Sequence, residues 1–523
     1  MDNKEVVTRL AKPVKKGLLH LVFSRFFVVA LLLILQVAIL LGAFSRLIDY
    51  VPQLAAVQGV FTLVMIVYLF NTGMDASAKL TWMFLIAILP VPGAIFLFFT
   101  RMNFGHRFSR RRVDQLIRET QTALPQDQAV IDRLEAGGSG TDDLRRYLNR
   151  SGCFPIYDDS DVTYFPSGEK KFESMLEDLR AAKEFIFLEY FIIEEGFMWG
   201  SILEILMEKA AAGVEVRVMY DGMCEMQQLP ADYYKRLAAH GIRAKDFAPI
   251  KPLISSHYNY RDHRKILVID GEVAFTGGVN LADEYINRVT RFGHWKDVAI
   301  RVRGGAAKSF LLMFLQMWNI DEPEPDFDRW LKKPAVPAAA PSGYVMPYGD
   351  CPLDDYRVGE TVYIDILYRA TDYVHIMTPY LILDGELETA LKYAAQRGVD
   401  VKLILPGIPD KKAAYALAKT HYKPLTAAGV QIFEYTPGFV HAKVCVSDEE
   451  KAVVGTINLD YRSLYHHFEC AAYLFRCGCI PAIEQDFQQT LAQCRPVTAE
   501  TIRATGAGYK IGGTLLKFIA PLM

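Results

Sequence analysis

One spacing pattern occurs twice in this chain and constrains its fold more than any other feature. The pattern H-x-K-x4-D-x6-G-x-x-N begins once at His263 and again at His441. Only 11 of the 523 residues are histidine, so two copies of so long a pattern indicate a duplicated unit rather than chance. Because alternate side chains of a β-strand share a face, the His and Lys of each copy are predicted to point the same way. A basic pair on one face of a strand suits an anionic ligand.

The segments before each motif repeat in the same order. Strand-like runs alternate with helix-like stretches that end in glycine, as at Gly213 and Gly398, where glycine is typical of a helix C-terminus. The runs VRVMY and VKLIL are continuously apolar, which indicates strands covered on both faces. The sequence therefore predicts an α/β fold of two similar units packed about a pseudo-two-fold axis and preceded by N-terminal transmembrane helices.

Composition shifts along the chain predict the domain boundaries. The start of the chain is apolar, the rest is mixed, and KKPAVPAAAPSGY is rich in Pro and Ala. The predicted segments are an N-terminal membrane anchor with two or three spans (1–112), a first unit (113–333), a linker (334–344) and a second unit (345–523).

Three apolar stretches near the N-terminus are candidate membrane spans: residues 26–44, 54–70 and 82–99. About 20 apolar residues cross a bilayer, and Pro90 with Pro92 predicts a kink in the third stretch. Basic residues precede the first stretch and follow the last, which places both ends in the cytoplasm and requires an even number of spans. Three spans break that parity, so the span count and the N-terminal orientation stay open. The catalytic region is expected in the cytoplasm.

Composition excludes some classes of protein. The chain has 58 basic and 60 acidic residues, and this balance argues against a general nucleic-acid binder. Its eight cysteines show no disulfide-framework or metal-site spacing, which predicts free thiols in a reducing compartment. The C-terminal segment 508–523 is apolar with two lysines, and an interfacial helix and a buried terminal helix are equally compatible with it.

If the two motifs meet at one point, they supply the groups for phosphoryl transfer. Lys265 and Lys443 offer positive charge to phosphate oxygens, and Asn280 with Asn458 offers neutral N–H donors. One imidazole can attack phosphorus while the other protonates the leaving oxygen. The lysines would neutralise the developing charge, so the sequence predicts no metal and no cofactor.

Four carboxylates accompany these groups. A catalytic histidine needs an acid on its second ring nitrogen, and Asp297 and Glu469 stand at matching places after the two motifs. Asp270 and Asp448 complete the catalytic motifs. Because each ends an apolar run, we expect them to fix the loop after the strand rather than touch substrate.

The doubled motif resembles the phospholipase D superfamily and, within it, the bacterial cardiolipin synthases. The segments FLEYFII, YGDCPLDDYRVGE and GTINLDYRS are also similar to that family, and the resemblance runs from about Asp75 to the end. Residues 1–73 depart from it, and Gly278 stands where many members have serine. The resemblance implies a bacterial cell-membrane enzyme that converts two phosphatidylglycerols into cardiolipin and glycerol through a phosphohistidine, with these anionic lipids as its partners.

The histidine roles are the finest prediction. We expect His263 to be the nucleophile, as the resemblance favours, because Arg261 and Arg264 disfavour its protonated form. His441 is then the general acid, with Glu469 holding it protonated.

Three other functions remain as alternatives. A membrane-bound phospholipase D that transfers to water would use the same residues. A superfamily nuclease would need a basic groove, which the charge balance disfavours. A non-catalytic scaffold conflicts with the intact motifs. Acceptor and donor range and oligomeric state cannot be deduced from the sequence.

Overall fold

The computed structural model describes residues 53–522 apart from 102–103, 139, 153, 250–259 and 335, together with 38 and 42. The strands of the first half are β1 (Asp161–Phe165), β2 (Phe185–Tyr190), β3 (Glu215–Asp221), β4 (Arg243–Phe247), β5 (Arg261–Asp262), β6 (Lys265–Ile269), β7 (Val273–Gly277), β8 (His294–Lys296) and β9 (Ala299–Arg303). Those of the second half are β10 (Tyr344–Asp350), β11 (Tyr373–Met377), β12 (Asp400–Pro406), β13 (Gln431–Tyr435), β14 (Gly438–Val440), β15 (Val444–Ser447), β16 (Lys451–Gly455), β17 (His467–Phe475) and β18 (Cys494–Pro496).

Helices surround these strands. The helices that precede β10 are Gln53–Phe70, Ala76–Ile88, Pro90–Arg101, Phe104–Glu119, Gln128–Ala136, Thr141–Gly152, Gly168–Ala181, Phe197–Ala211, Met223–Gln227, Tyr233–Ala238, Ala307–Trp318 and Phe327–Leu331. Those that follow are Val358–Arg369, Gly385–Gln396, Lys412–Ala427, Tyr461–Tyr465, Ile480–Leu491, Ala499–Ala504 and Ala507–Ile519.

The two large sheets have the same strand order. The first runs β1-β9-β7-β6-β2-β3-β4 and the second runs β10-β17-β16-β15-β11-β12-β13, with β18 added at its edge. In each sheet the two βαβ strand pairs are parallel and the motif strand is antiparallel to its neighbours. The repeat read from the sequence is therefore a repeat in space, and the two-unit α/β fold is confirmed.

Glycines end the helices that precede the parallel strands. Gly213 and Gly398 have φ of 89° and 95°, and each follows a helix and precedes β3 or β12. This left-handed conformation strains any residue with a Cβ, which explains why glycine recurs at these turns.

Two short strand pairs join the halves. β5 lies parallel to the start of β17, and β8 lies parallel to β14. β5 and β14 lead into the two motif histidines, whereas β8 and β17 carry the predicted orienting acids, just beyond β8 and within β17. The sheet connections thus deliver each acid across the interface between halves.

The apolar N-terminal stretches are placed only in part. The stretch 26–44 lies outside the described residues except for 38 and 42, and the stretch 54–70 falls within helix Gln53–Phe70. The stretch 82–99 is divided at Leu89 between two helices, so the chain has a helix break just before Pro90 instead of one kinked helix. Within the described ranges, no helix combines the length and apolar character that a membrane crossing requires.

The C-terminal segment forms helix Ala507–Ile519, which has one buried and one exposed face. A Cβ added at Gly513 would lie 2.4 Å from the carbonyl oxygen of Ala416, so this face packs closely on helix Lys412–Ala427. Ile511 and Leu515 on the opposite side are 63% and 68% exposed. One face of the helix is therefore buried, as the terminal-helix alternative predicts, whereas the interfacial alternative stays a prediction.

Candidate active site

The two motif histidines each contact a carboxylate of the other half. His263 Nδ1 lies 2.8 and 3.0 Å from the two carboxylate oxygens of Glu469, and His441 Nδ1 lies 2.7 Å from Asp297 Oδ2. All four residues are buried. The expectation that Glu469 pairs with His441 is wrong, because β17 runs beside β5 and brings Glu469 to His263 instead.

The backbone holds these pairs in matching positions. His263 donates its N–H to the carbonyl of Phe468 at 3.0 Å, and His441 donates its N–H to the carbonyl of Lys296 at 2.7 Å. Each histidine is thereby fixed next to the residue that precedes its carboxylate. Since both Nδ1 atoms face a carboxylate, Nε2 is the ring nitrogen left for chemistry in each half.

Burial keeps both imidazoles neutral. It lowers the pKa of His263 well below its usual value, with a smaller contribution from Lys265 against the opposing effect of Glu469. Burial and then Lys443 lower the pKa of His441 to about 4, against Asp297. His263 is thus neutral as expected, but through burial rather than through its arginine neighbours, which pair with Asp221 and Glu189. A protonated His441 in the free protein is not supported.

The two motif lysines are also buried, and charged groups of both halves affect their pKa values. Burial lowers the pKa of Lys265 to about 8, with Glu469 opposing, and that of Lys443 to about 7, with Asp297 opposing and Lys265 adding to the decrease. Each ammonium donates to the backbone carbonyl of its own motif histidine. The electrostatic coupling indicates that the two motifs form one cluster.

The two motif asparagines differ in their contacts. Asn280 accepts from the N–H of Ile192 at 3.1 Å and donates to Tyr285 Oη at 2.8 Å, so part of its hydrogen-bonding capacity is used within the protein. Asn458 is buried, and its Oδ1 has no hydrogen-bond partner among the described residues.

Asp270 and Asp448 bind backbone amides at the start of a neighbouring strand. Asp270 accepts from three successive N–H groups, of residues 183–185, at 2.8 to 2.9 Å. Asp448 does the same with residues 371–373 at 2.9 to 3.0 Å. The two aspartates therefore fix the chain where it enters β2 and β11. Within the described residues, their side chains do not bind the expected loop after the motif strand or the His–Lys cluster.

Gly278 leaves room for an orienting acid. A Cβ added there would lie 2.0 Å from Asp297 Oδ1 and 2.8 Å from the carbonyl oxygen of His441. The equivalent residue of the second half is Thr456, whose hydroxyl donates to Glu469 Oε2. The absence of serine at 278 is therefore explained by the carboxylate that occupies this space.

Sequence reasoning missed three buried residues of the site. Lys171 contacts Tyr190 Oη at 3.1 Å and the carbonyl of Val279 at 3.2 Å, and burial lowers its pKa to about 7. The rings of His467 and Trp295 pack against the two motif histidines. The signal for the last two was available, since each lies two positions before an orienting acid.

Comparison with known proteins agrees with this arrangement. The family model described as "cardiolipin synthase, PLD-like domain" matches residues 175–291 and 363–491, one segment in each half. A cardiolipin synthase of Alkalihalophilus pseudofirmus is 31% identical over 471 residues, covering 89% of this chain and 93% of that protein. A "cardiolipin synthase 2" of Bacillus anthracis is also 31% identical, covering 86% and 87%.

One further relative and one solved structure are informative in other ways. An uncharacterised protein of Streptococcus mutans is 53% identical, covering 88% of this chain and 99% of that protein. The crystal structure of phosphatidylserine synthase from Haemophilus influenzae aligns with a TM-score of 0.56 at 15% identity, covering 73% of this chain and 97% of that one. This likeness extends the shared fold beyond sequence similarity.

Proposed function

Since the chain belongs to the cardiolipin synthase family of phospholipase D-like phosphatidyltransferases, we propose that it transfers a phosphatidyl group from one phosphatidylglycerol to a second, giving cardiolipin and glycerol. The observation that carries the proposal is the pair of buried His–carboxylate contacts that cross between the halves. The two pairs hold the nucleophile and the general acid–base, which both steps of the transfer need.

In the first step, His263 Nε2 attacks phosphorus and the bond to the headgroup glycerol breaks. Glu469 on Nδ1 stabilises the positive charge that develops on the ring. The leaving glycerol oxygen takes a proton from His441, which gains that proton when the anionic phosphate binds and raises its pKa. The pKa values do not show which histidine is the nucleophile, because burial lowers the pKa of both. The assignment of His263 rests on the family resemblance.

In the second step, a hydroxyl of another phosphatidylglycerol attacks the phosphohistidine. Its proton passes to His441 and the phosphorus–nitrogen bond breaks, which regenerates both histidines. Lys265, Lys443, Asn280 and Asn458 are proposed to hold the phosphate oxygens throughout, so no metal is required. Transfer to water instead of the second lipid would make the protein a phospholipase D.

Product analysis tests the proposal. The full-length protein, purified in detergent, is incubated with phosphatidylglycerol, and the lipids are identified by mass spectrometry. Cardiolipin and glycerol in equal amounts are expected. Phosphatidic acid as the sole product identifies a hydrolase, and no turnover supports a scaffold.

Activity should fall as the pH rises through the range of the lysine pKa values. Phosphate binding is proposed to need charged Lys265 and Lys443, whose pKa values in the free protein are lowered to about 8 and about 7. Raising the pH above 7 to 8 removes these charges, so kcat/KM for phosphatidylglycerol should decrease. A pH profile of kcat/KM measures this, and a value that stays constant from pH 7 to pH 10 would contradict it.

We also propose that the protein catalyses the transfer at a lipid surface, as expected for a cell-membrane enzyme. Helix Ala76–Ile88 exposes Leu80, Phe84 and Ile88, and the Phe84 ring packs 4.3 Å from that of Phe518 in helix Ala507–Ile519. This joins the exposed apolar faces of the two helices into one surface. Two lysines on the C-terminal helix suit anionic lipid headgroups.

The apolar surface lies close to the catalytic motif. Tyr461 follows Asn458 by three positions and packs in one cluster with Ala520, directly after the C-terminal helix. A bilayer touching this surface would therefore lie beside the end of the chain segment that carries Asn458.

Leu515→Glu should lower turnover of phosphatidylglycerol in vesicles but not of a monomeric substrate. Burying a leucine side chain contributes about 1.5–3 kcal/mol, so turnover of phosphatidylglycerol in vesicles should fall by about tenfold or more. Turnover of a short-chain, monomeric phosphatidylglycerol should not change. Gln485→Glu adds the same charge at an exposed position of helix Ile480–Leu491, outside this surface, and serves as the control. An equal loss with both substrates would show a folding defect instead of a lipid contact.

A further inference from the structure

The two catalytic histidines pack against different ring types at equivalent places. His467 lies two positions before Glu469, with its ring centroid 5.3 Å from that of His263. Trp295 lies two positions before Asp297, with its ring centroid 5.4 Å from that of His441. Both positions carry a flat ring, but only the ring beside His263, that of His467 in the second half, has nitrogen lone pairs.

The ring nitrogens of His467 are buried and make no hydrogen bond within the described residues. The residue is 7% exposed, and neither Nδ1 nor Nε2 has a hydrogen-bond partner among the described residues. Buried polar atoms are normally satisfied, because each unsatisfied one costs free energy. Such an atom inside a cluster of polar groups indicates a ligand.

The surroundings of His467 fit a metal ion. Glu469 Oε1 lies 2.8 Å from His263 Nδ1 and 3.6 Å from His467 Nδ1, and one ligand atom from each of the three residues lies within 4.8 Å of the others. Zinc bonds of about 2.0–2.1 Å at tetrahedral angles place neighbouring ligand atoms about 3.4 Å apart, so small side-chain shifts suffice. Thr456 holds the other oxygen of Glu469, which leaves Oε1 directed between the two imidazoles.

We propose that His263, His467 and Glu469 form an inhibitory site for Zn²⁺ or a similar nitrogen-binding transition-metal ion. Two imidazoles and one carboxylate are a typical zinc ligand set with an open fourth position, whereas Mg²⁺ and Ca²⁺ prefer oxygen ligands. The other histidine–carboxylate pair, His441 and Asp297, cannot form an equivalent site. Its ring is Trp295, and the ammonium of Lys443 lies 2.9 Å from His441 Nδ1, where it would repel a cation.

Inhibition follows from the tautomer of His263, and this step rests on the proposed nucleophilic role. A metal ion on Nδ1 displaces the ring proton, which a neutral imidazole then carries on Nε2. The lone pair that attacks phosphorus is thereby lost, with no net change in bound protons. The metal also takes the carboxylate that orients the ring.

Direct binding tests the site independently of turnover. The full-length protein in detergent is stripped with EDTA, which should leave its activity intact, and is then titrated with ZnCl₂ by calorimetry. One Zn²⁺ per chain is expected, with turnover of phosphatidylglycerol falling in parallel and returning on chelation. Millimolar Mg²⁺ should have no effect. The absence of saturable Zn²⁺ binding would overturn the proposal.

Variants locate the ion. His467→Phe retains a flat ring but loses the ligand atoms, so Zn²⁺ should bind at least ~100-fold more weakly. His467→Asn provides a second variant if the first does not fold. His441→Ala should bind Zn²⁺ like the wild type, whatever its turnover, which separates this proposal from the proposed function. Wild-type affinity in both His467 variants would refute the site.

Discussion

His263→Ala and His441→Ala should each lower kcat for phosphatidylglycerol by at least ~10³-fold. The reason is that neither half is complete. Each histidine is oriented by a carboxylate from the other half, at 2.8 Å for His263 and 2.7 Å for His441. Loss of His263 removes the proposed nucleophile, and loss of His441 removes the proposed acid and base. Steady-state product formation in detergent micelles measures both.

His240→Ala is the matched control for this experiment. His240 lies in the turn before β4, away from both motifs, and its replacement should leave kcat within about twofold of the wild type, since substitutions outside such features have small effects. Near-normal turnover in either motif variant would contradict a single site shared by the two halves.

Gly278→Ala should have the second largest effect, although it adds only one methyl group. That methyl would lie 2.0 Å from Asp297 Oδ1 and 2.8 Å from the carbonyl oxygen of His441, so Asp297 must move. A histidine that loses its orienting carboxylate takes the wrong tautomer, which in a serine protease triad lowers kcat by about 10⁴-fold. We expect kcat for phosphatidylglycerol to fall by at least ~10²-fold.

A second glycine controls for the substitution itself. A Cβ added at Gly385 meets no atom within 4 Å, so Gly385→Ala should leave turnover unchanged. Thermal unfolding of both variants separates a misplaced carboxylate from a destabilised core. Wild-type kcat in Gly278→Ala, with Asp297 still in contact with His441, would show that the methyl group is tolerated.

Much of this arrangement was accessible from the sequence. The fold followed from the order of the repeated segments, because a strand order that depends on short βαβ connections repeats when those connections repeat. The ten predicted site residues were found from motif spacing. The structure brings the histidines and their orienting acids together beside the two lysines, buries both asparagines, and assigns Asp270 and Asp448 to backbone contacts instead.

The pairing of acid with histidine was not accessible. It depends on the short pairs β5–β17 and β8–β14, which are formed by segments of two or three residues between distant parts of the chain. No local pattern encodes such a contact. The cause of the lowered histidine pKa was missed for a similar reason, since burial depends on packing of both halves whereas the arginine neighbours were visible in the sequence.

The proposed mechanism requires a covalent phosphatidyl-enzyme intermediate. Trapping this intermediate is the most direct test of the mechanism. The protein is mixed with phosphatidylglycerol, quenched within milliseconds under alkaline conditions that preserve the acid-labile phosphohistidine, digested and analysed by mass spectrometry. The expected result is a phosphatidyl group on His263, which is absent in His263→Ala. A phosphatidyl group on His441 would exchange the two roles. Cardiolipin formation with no modification of either histidine would contradict the account.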